Sequence, residues 1–200
     1  MDLNSIIDHT LLKPTATQAE ILKLCAEAKQ YQFWSVCVNP VWVKLAKQQG
    51  VRVCSVVGFP LGANTLAIKI AEIKQAITDG ADELDVVINN IADLRRQTKT
   101  VVAAASGKIV KIIIETAYLT QSEKTLAAKL VKESGANFVK TSTGFGPSGA
   151  TVEDVKLLCR AVGPDFGVKA SGGIKTKTQA LAMIKAGANH PLSQAIIGAM

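Results

Sequence analysis

The sequence has no long hydrophobic run and no segment that divides it. No apolar stretch in its 200 residues approaches the roughly 18 that a membrane-spanning helix needs, and the N-terminus lacks the basic and apolar regions of a secretory signal peptide. No low-complexity segment or Ser/Gly-rich linker interrupts the chain. We therefore expect a folded cytoplasmic protein without a membrane partner, in which residues 1–200 form a single domain.

Aromatic residues are also scarce, at 4% of the chain, although the formal net charge is +7. The lysines are dispersed, and the clearest basic run is Arg95-Arg96. The sequence thus lacks the stacking groups and the basic stripe of a nucleic-acid-binding surface, so we expect no nucleic-acid partner. The positive charge falls mainly in residues 101–200, which indicates either an anionic ligand there or a well-solvated basic surface.

Residues that hold metals or cofactors are few. The two histidines, His9 and His190, are far apart, and zinc would lack its usual nitrogen donors. No CxxC pair occurs, which favours buried reduced thiols at all four cysteines, Cys25, Cys37, Cys54 and Cys159. We interpret His9 as a hydrogen-bonded wall residue. GxSxG and GxxxxGK[ST] motifs are absent as well, so we expect no metal and no other cofactor.

Short β-branched runs alternate with helical patterns along the chain. The predicted strands are Ile6–Leu12, Ser35–Asn39, Val51–Val57, Glu83–Asn89, Ile109–Thr116, Asn137–Thr143, Gly167–Ser171 and, weakly, Ala195–Ile197. The predicted helices are Thr17–Ala28, which begins with a capping box, Pro40–Gly50, Leu66–Gly80, Ser122–Ser134, Thr151–Ala161 and Thr176–Ala186.

This alternation predicts a parallel sheet. Eight units in 200 residues leave roughly 25 residues each, which is near the minimum for a βα repeat. We therefore predict a compact (β/α)8 TIM barrel in the α/β class. An open doubly wound sheet is the alternative, although no GxGxxG follows the first strand.

In such a barrel alternate strand residues face the lumen, and active-site residues lie at the carboxyl ends of the strands. The pattern turns Asp85, Lys140 and Lys169 inward, while Leu84, Val86 and Ile88 pack on helices. Asp8, Lys111 and Glu115 are further candidates for this interior.

Two lysines in a barrel interior predict amine chemistry. Burial penalises the ammonium form, and a second ammonium nearby penalises it further. An uncharged lysine attacks a carbonyl and forms a Schiff base, whose nitrogen accepts electrons. Asp85 would hold Lys169 protonated and pass protons, which leaves Lys140 to react. The competing interpretation is that both are strand lysines that extend outward to solvent.

Two glycine-rich turns follow the last of these strands. Ser171-Gly172-Gly173 comes after the seventh strand, where backbone N–H groups can hold a phosphate. The segment Gly144–Thr151 follows the sixth strand and ends in a residue suited to cap a helix. Loop geometry alone explains such turns equally well.

Seven motifs in order along the chain resemble the deoxyribose-phosphate aldolase family. They are DHTLLKP from Asp8, SVCVNP from Ser35, VGFPLG from Val57, ELDVVIN from Glu83, IIET from Ile113, FVKTSTG from Phe138 and VKASGG from Val168. The resemblance implies a metal-independent class I aldolase on a (β/α)8 barrel. Such enzymes reversibly cleave 2-deoxy-D-ribose 5-phosphate to acetaldehyde and D-glyceraldehyde 3-phosphate.

The resemblance also implies residue roles. Lys140 would form the Schiff base, Lys169 would favour its uncharged amine, and Asp85 would serve the proton relay. Substrate contacts are expected from Asp8, Cys37, Thr143, Ser171, Gly172 and Gly173. The expected partners are a small sugar phosphate, aldehydes and, in a predicted homodimer, a second copy of the chain.

Two segments depart from the family pattern. Residues 90–99 look too short for the helix that normally lies there. The family's eighth strand reads RIGTSSG, whereas this chain has HPLSQAI from His190, and Pro191 removes a ladder donor. We therefore expect an atypical or incomplete eighth strand and weakened phosphate affinity beside intact Schiff-base chemistry. The alternatives are another Schiff-base barrel, such as a transaldolase-like or fructose-phosphate aldolase, and a catalytically impaired barrel that binds sugar phosphates or a protein.

Overall fold

The computed structural model describes residues 3–88 and 91–193, which form eight strands and seven α-helices in alternation. The strands are β1 (Ile7–Leu11), β2 (Ser35–Val38), β3 (Val53–Val57), β4 (Glu83–Val87), β5 (Ile109–Ile113), β6 (Phe138–Lys140), β7 (Gly167–Ser171) and β8 (His190–Ser193). The helices are α1 (Gln18–Gln30), α2 (Val43–Gln48), α3 (Leu66–Thr78), α4 (Leu94–Ala104), α5 (Gln121–Glu133), α6 (Val152–Val162) and α7 (Lys177–Lys185).

The eight strands form a closed parallel barrel in chain order, so the predicted (β/α)8 fold is confirmed. Each crossover helix returns the chain to the same end of the next strand, which is why all neighbours run parallel. The helix starts follow the sequence closely. Thr17 and Glu20 form the capping box that begins α1, and Thr151 caps α6.

The eighth strand is present and closes the barrel, but it is short and irregular. It pairs with β1 at Ile7↔Leu192 and Asp8↔Ser193, and its register against β7 shifts between Lys169 and Ser171. A proline within the strand has no N–H for the ladder, which fits this irregular pairing. The weaker candidate Ala195–Ile197 lies outside the described residues.

The expectation of a missing helix in residues 90–99 is wrong, because α4 occupies Leu94–Ala104. Its buried face contains Leu94 and Val101 but also the polar Gln97 and Thr98. Polar residues at half of the buried positions hide the apolar period by which a helix is recognised.

The main hydrophobic core lies between the strands and the helices. Outward-facing residues such as Leu84, Val86 and Ile112 are fully buried there. The four cysteines are free thiols, and all but the partly buried Cys159 are buried, close to the prediction. In the described part of the chain, no helix has the length and apolar character required to cross a membrane.

Candidate active site

Asp85 lies at the centre of the barrel and contacts three lysines. Its Oδ2 accepts hydrogen bonds from Lys140 Nζ at 2.6 Å and Lys169 Nζ at 2.8 Å, and its Oδ1 accepts one from Lys111 Nζ at 2.9 Å. All four side chains are buried. The alternation along the strands therefore predicted correctly that Asp85, Lys140 and Lys169 face the barrel interior.

The register of the strands explains why these groups meet. Lys140 on β6 stands directly opposite Lys169 on β7, and Asp85 on β4 stands opposite Lys111 on β5. Paired residues on adjacent parallel strands point to the same side, at the strand spacing of about 4.8 Å. Long lysine side chains from β5, β6 and β7 then converge on the short carboxylate from β4.

Asp8 on β1 provides a second carboxylate for Lys169. Its Oδ2 accepts a short hydrogen bond from Lys169 Nζ, and its Oδ1 accepts one from Ser35 Oγ at 2.6 Å. Burial disfavours the ammonium of Lys169, but the charges of Asp8 and Asp85 outweigh it, so the pKa of Lys169 is raised. Lys169 is thus held firmly as an ammonium.

Glu83 also belongs to this cluster, although the sequence pattern did not lead us to predict that it faces the interior. Its carboxylate forms ion pairs with Lys111 and with Arg52 Nε at 2.9 Å, and it accepts a hydrogen bond from Trp34 Nε1 at 2.6 Å. Glu83 precedes Asp85 by two residues, so the same period-two rule could have turned it inward.

Three buried lysines and three buried carboxylates therefore form one network. Burial alone would raise the pKa of Asp85, but Lys111, Lys140 and Lys169 together hold it well below its usual value. The pKa of Asp8 is lowered as well, because Lys169 and Lys111 outweigh its burial. Each carboxylate is paired, as charges in a barrel interior must be.

Two thiols border the network on β2 and β3. Cys54 Sγ donates to Asp85 Oδ1 at 3.2 Å, and burial raises its pKa well above the usual value. A hydrogen bond from Cys54 lowers the pKa of Cys37 instead. The donor atoms of Cys37, Cys54 and Asp85 lie within 4.8 Å of one another. Both Asp85 oxygens already accept hydrogen bonds from lysines, so this carboxylate fits the polar network better than a cation.

The loop after β6 is anchored to the end of β5. Glu115 adopts a left-handed backbone with φ 51°, and its Oε2 accepts hydrogen bonds from the Thr143 N–H at 3.0 Å and from Thr143 Oγ1. Thr143 Oγ1 in turn accepts one from the Phe145 N–H at 3.0 Å. Glu115 therefore lies at the rim of the barrel and not within the lysine cluster.

A cavity of about 270 Å³ opens at the barrel mouth beside this loop. It is lined by Thr10, Leu11, Leu12, Lys13, Thr143, Gly144, Phe145 and Gly172. Gly172 and Gly173 have φ values of 82° and 76°, which only glycine adopts readily. The hydroxyl of Ser171 is already engaged, because it donates to the carbonyl of Ser142.

His9 lies on the outer side of β1, as predicted for a wall residue. Its Nε2 is 2.7 Å from Glu27 Oε2, and its ring packs on Phe33 with centroids 5.2 Å apart. Burial lowers the pKa of His9 in spite of Glu27. His9 is therefore separate from the lysine cluster.

Comparison with known proteins identifies the family of this chain. The DeoC/LacD aldolase family model matches residues 4–199. The chain belongs to this family. It is 55% identical over 205 residues to the deoxyribose-phosphate aldolase of Thermococcus gammatolerans, covering 95% of this chain and 91% of that protein. The Clostridium botulinum enzyme of the same name is also 55% identical, over 201 residues and 95% of both chains.

Solved structures agree with this DeoC/LacD membership. A deoxyribose phosphate aldolase from Aeropyrum pernix, described as a tetramer, superposes with a TM-score of 0.91 at 36% identity. The match covers 98% of this chain and 87% of that one. The similarity to deoxyribose-phosphate aldolases therefore extends over nearly the full length of this chain, in sequence and in fold.

Proposed function

We propose that this chain is a class I aldolase that reversibly cleaves 2-deoxy-D-ribose 5-phosphate to acetaldehyde and D-glyceraldehyde 3-phosphate. The single observation that supports the chemistry best is the pairing of Lys140 and Lys169 on one oxygen of Asp85. The name shared by the curated relatives supports the substrate.

Lys140 is the better nucleophile because its ammonium has less carboxylate support. Lys169 touches both Asp8 and Asp85, whereas Lys140 has its ion pair with Asp85 alone among the described residues. Two ammonium groups that share one oxygen repel each other, and the second carboxylate, Asp8, fixes the charge on Lys169, so Lys140 is the lysine proposed to react as the uncharged amine. Lys169 then supplies the fixed positive charge that keeps Lys140 reactive.

The reaction follows from that uncharged amine. Lys140 Nζ adds to the aldehyde carbon C1 of the open-chain sugar, and loss of water gives an iminium ion. A base then removes the proton of the C3 hydroxyl, the C2–C3 bond breaks, and its electron pair moves into the iminium to form an enamine. Glyceraldehyde 3-phosphate leaves. Protonation at C2 and addition of water release acetaldehyde and restore Lys140.

Asp85 is the proposed proton relay for these steps. Its carboxylate contacts the amine of Lys140 and the ammonium of Lys169, so a proton on either nitrogen can pass through one oxygen. Asp8 acts by holding Lys169 in place. Cys37 borders the same interior, where it would contact the acetaldehyde portion.

The phosphate end is proposed to lie at the mouth cavity. Thr143 and Gly172 line it together with Lys13, whose ammonium is paired with Glu20, and Gly173 follows Gly172 directly in the chain. Of the predicted contact residues, Ser171 uses both of its donors within the protein, because its hydroxyl donates to the Ser142 carbonyl and its N–H to Thr141 Oγ1. Backbone N–H groups of a glycine turn suit phosphate oxygens well.

Borohydride trapping tests the proposal. The protein is incubated with acetaldehyde, reduced, digested and analysed by mass spectrometry. We expect an ethyl group on Lys140, its loss in Lys140→Met, and wild-type trapping in Lys129→Met, which alters an exposed lysine of α5. No adduct on the folded wild-type protein, or an adduct confined to Lys169, would overturn the assignment.

The alternatives have less support. The impaired barrel depends on the altered C-terminal phosphate site, yet β8 closes the barrel and the polar network is intact. A transaldolase-like or fructose-phosphate aldolase would use the same amine chemistry, and a comparison of sugars in the cleavage assay separates these enzymes. No resident metal or cofactor enters the proposed reaction.

Three further predictions concern oligomeric state, cellular location and domain organisation. A homodimer stays a prediction, as does a cytoplasmic location. The assignment of residues 1–200 to one domain also stays a prediction, since residues 194–200 lie outside the described part. Sedimentation analysis of the purified chain would test the homodimer.

A further inference from the structure

A second cavity of about 350 Å³ lies beside the mouth cavity, at the carboxyl ends of β4 and β5. Its walls are mainly apolar and include Val87, Ile88, Leu94 and Ile114. The volume falls in the range of about 300 to 1,000 Å³ that is typical of small-molecule sites. It shares Thr143 and Phe145 with the mouth cavity, but no reacting group of the proposed cleavage lines it.

One polar group faces it without a partner. Glu115 lines the cavity and is only 9% exposed. Its Oε2 holds Thr143, whereas its Oε1 has no hydrogen-bond partner among the described residues. Oε1 lies 3.1 Å from the position of a Cβ built on Gly146, which also lines the cavity. A buried carboxylate oxygen without a hydrogen-bond partner favours the binding of a ligand that carries a hydrogen-bond donor.

The surroundings favour a cationic donor. Tyr118 and Phe145 also line the cavity and are 71% and 53% exposed, so both rings can be reached by a cation even though Phe145 also makes a T-shaped contact with Phe59. None of the described residues that line the cavity is a lysine or arginine. A sugar phosphate would therefore meet a carboxylate there with no positive charge to balance it.

We propose that this cavity binds a small organic ammonium with an apolar body. The ammonium donates to Glu115 Oε1, and the body packs against Val87, Leu94 and Ile114. A charge-assisted hydrogen bond to a buried carboxylate is among the stronger interactions in proteins, and the apolar walls favour burial of the hydrocarbon.

The experiment compares two ligands of one skeleton, 2-phenylethylammonium and 2-phenylethanol, with the protein alone and no aldehyde present. Affinities come from NMR titration, and the perturbed residues locate the site. We expect the ammonium to bind at least about tenfold more tightly than the alcohol and to perturb Tyr118 and Phe145. Equal affinities, or shifts confined to another surface, would overturn the proposal.

Glu115→Gln is the decisive variant. The amide oxygen can still accept from Thr143, while the amide nitrogen replaces Oε1 with a donor. Affinity for the ammonium should then fall by about tenfold or more. Glu153→Gln, which changes an exposed carboxylate of α6, should leave it unaltered. Unchanged binding to Glu115→Gln would show that the ammonium does not use this carboxylate.

A second variant avoids any effect on folding. Tyr118→Leu alters a largely exposed side chain and removes one aromatic face, so binding of the ammonium should weaken severalfold while the alcohol changes less. An equal loss for both ligands would contradict the cationic assignment. These measurements use no substrate, so their failure leaves the borohydride test of the aldolase unaffected.

Discussion

Lys140 stands directly opposite Lys169 in the register of β6 and β7, and the Nζ atoms of both lysines contact the same oxygen of Asp85. The two lysines differ in the number of carboxylates that they contact, because Asp8 provides a second carboxylate for Lys169. Two residues with the same chemistry therefore have different electrostatic environments, and the contrast depends on Asp8.

The first prediction concerns Asp8→Asn. Because the folded-state pKa of Asp8 is lowered, its charge contributes stability that is fully present above the unfolded pKa of about 3.9. That contribution is lost as the pH falls through the folded-state value. The variant leaves Lys169 with one carboxylate fewer, so it should lose about 3 kcal/mol of unfolding free energy at pH 7.

Denaturant unfolding at several pH values checks this prediction. The deficit of Asp8→Asn should shrink steadily below about pH 4, where the Asp8 carboxyl of the unfolded wild-type chain begins to take up a proton that the folded protein still excludes. Asp165→Asn, at an exposed position, is the matched control and should differ little from wild type. A deficit that is constant down to pH 2 would show that packing, and not charge, explains the loss.

The second prediction concerns Lys69, a lysine in α3 that is fully buried outside the active site. Its Nζ donates to Gln97 Oε1 at 3.3 Å, and burial lowers its pKa although Glu72 opposes the shift. A folded-state pKa below the unfolded one means that stability rises as the pH increases through the window between them. Lys69→Met removes the cost of burying the ammonium.

We expect Lys69→Met to be more stable than wild type by about 1 kcal/mol at pH 7, with the gain shrinking as the pH approaches 10. Lys74→Met, at an exposed position of the same helix, corrects for general alkaline effects. Thermal unfolding of both variants across this range measures the difference. A destabilised Lys69→Met at every pH would mean that the bond to Gln97 outweighs the burial of charge.

The alternation of residues along each strand determines how much of this site can be predicted from the sequence. Period-two alternation turned Asp85, Lys140 and Lys169 inward correctly, because a closed parallel barrel leaves each strand only two faces. The same rule could have included Glu83, but a glutamate at the start of a strand also fits a solvent-exposed end. Its role became visible only through Lys111 on β5 and Arg52, which directly precedes β3.

Helix α4 and Glu115 show what the sequence could not reveal. The buried face of α4 includes Gln97 and Thr98, and their burial depends on neighbours that are distant in sequence, including Lys69. Glu115 has a left-handed backbone, which no local pattern indicates for a glutamate. Tertiary contacts determine both features.

The third prediction concerns selectivity for the phosphate. The family's RIGTSSG segment is replaced here, and β8 is short with an irregular register against β7, whereas the lysine pair is intact. We therefore expect Schiff-base chemistry to survive better than phosphate affinity. The ratio of kcat/KM for 2-deoxyribose 5-phosphate to that for 2-deoxyribose measures this, with the Clostridium botulinum relative as reference. A ratio as large as that of the reference would contradict the prediction.

The last prediction concerns Gly149, where the loops after β6 and β7 meet. A Cβ on Gly149 would lie 2.2 Å from the carbonyl oxygen of Gly172, so Gly149→Ala must push the two loops apart. Because the phosphate is proposed to bind beside Gly172, we expect KM for deoxyribose phosphate to rise more than about tenfold, while borohydride trapping of acetaldehyde on Lys140 changes little. Gly107→Ala is the control: it strains a glycine at positive φ that lies in open space and not beside the mouth loops, so it should lower stability and leave KM unchanged. If Gly149→Ala binds the phosphorylated sugar normally, the phosphate lies elsewhere.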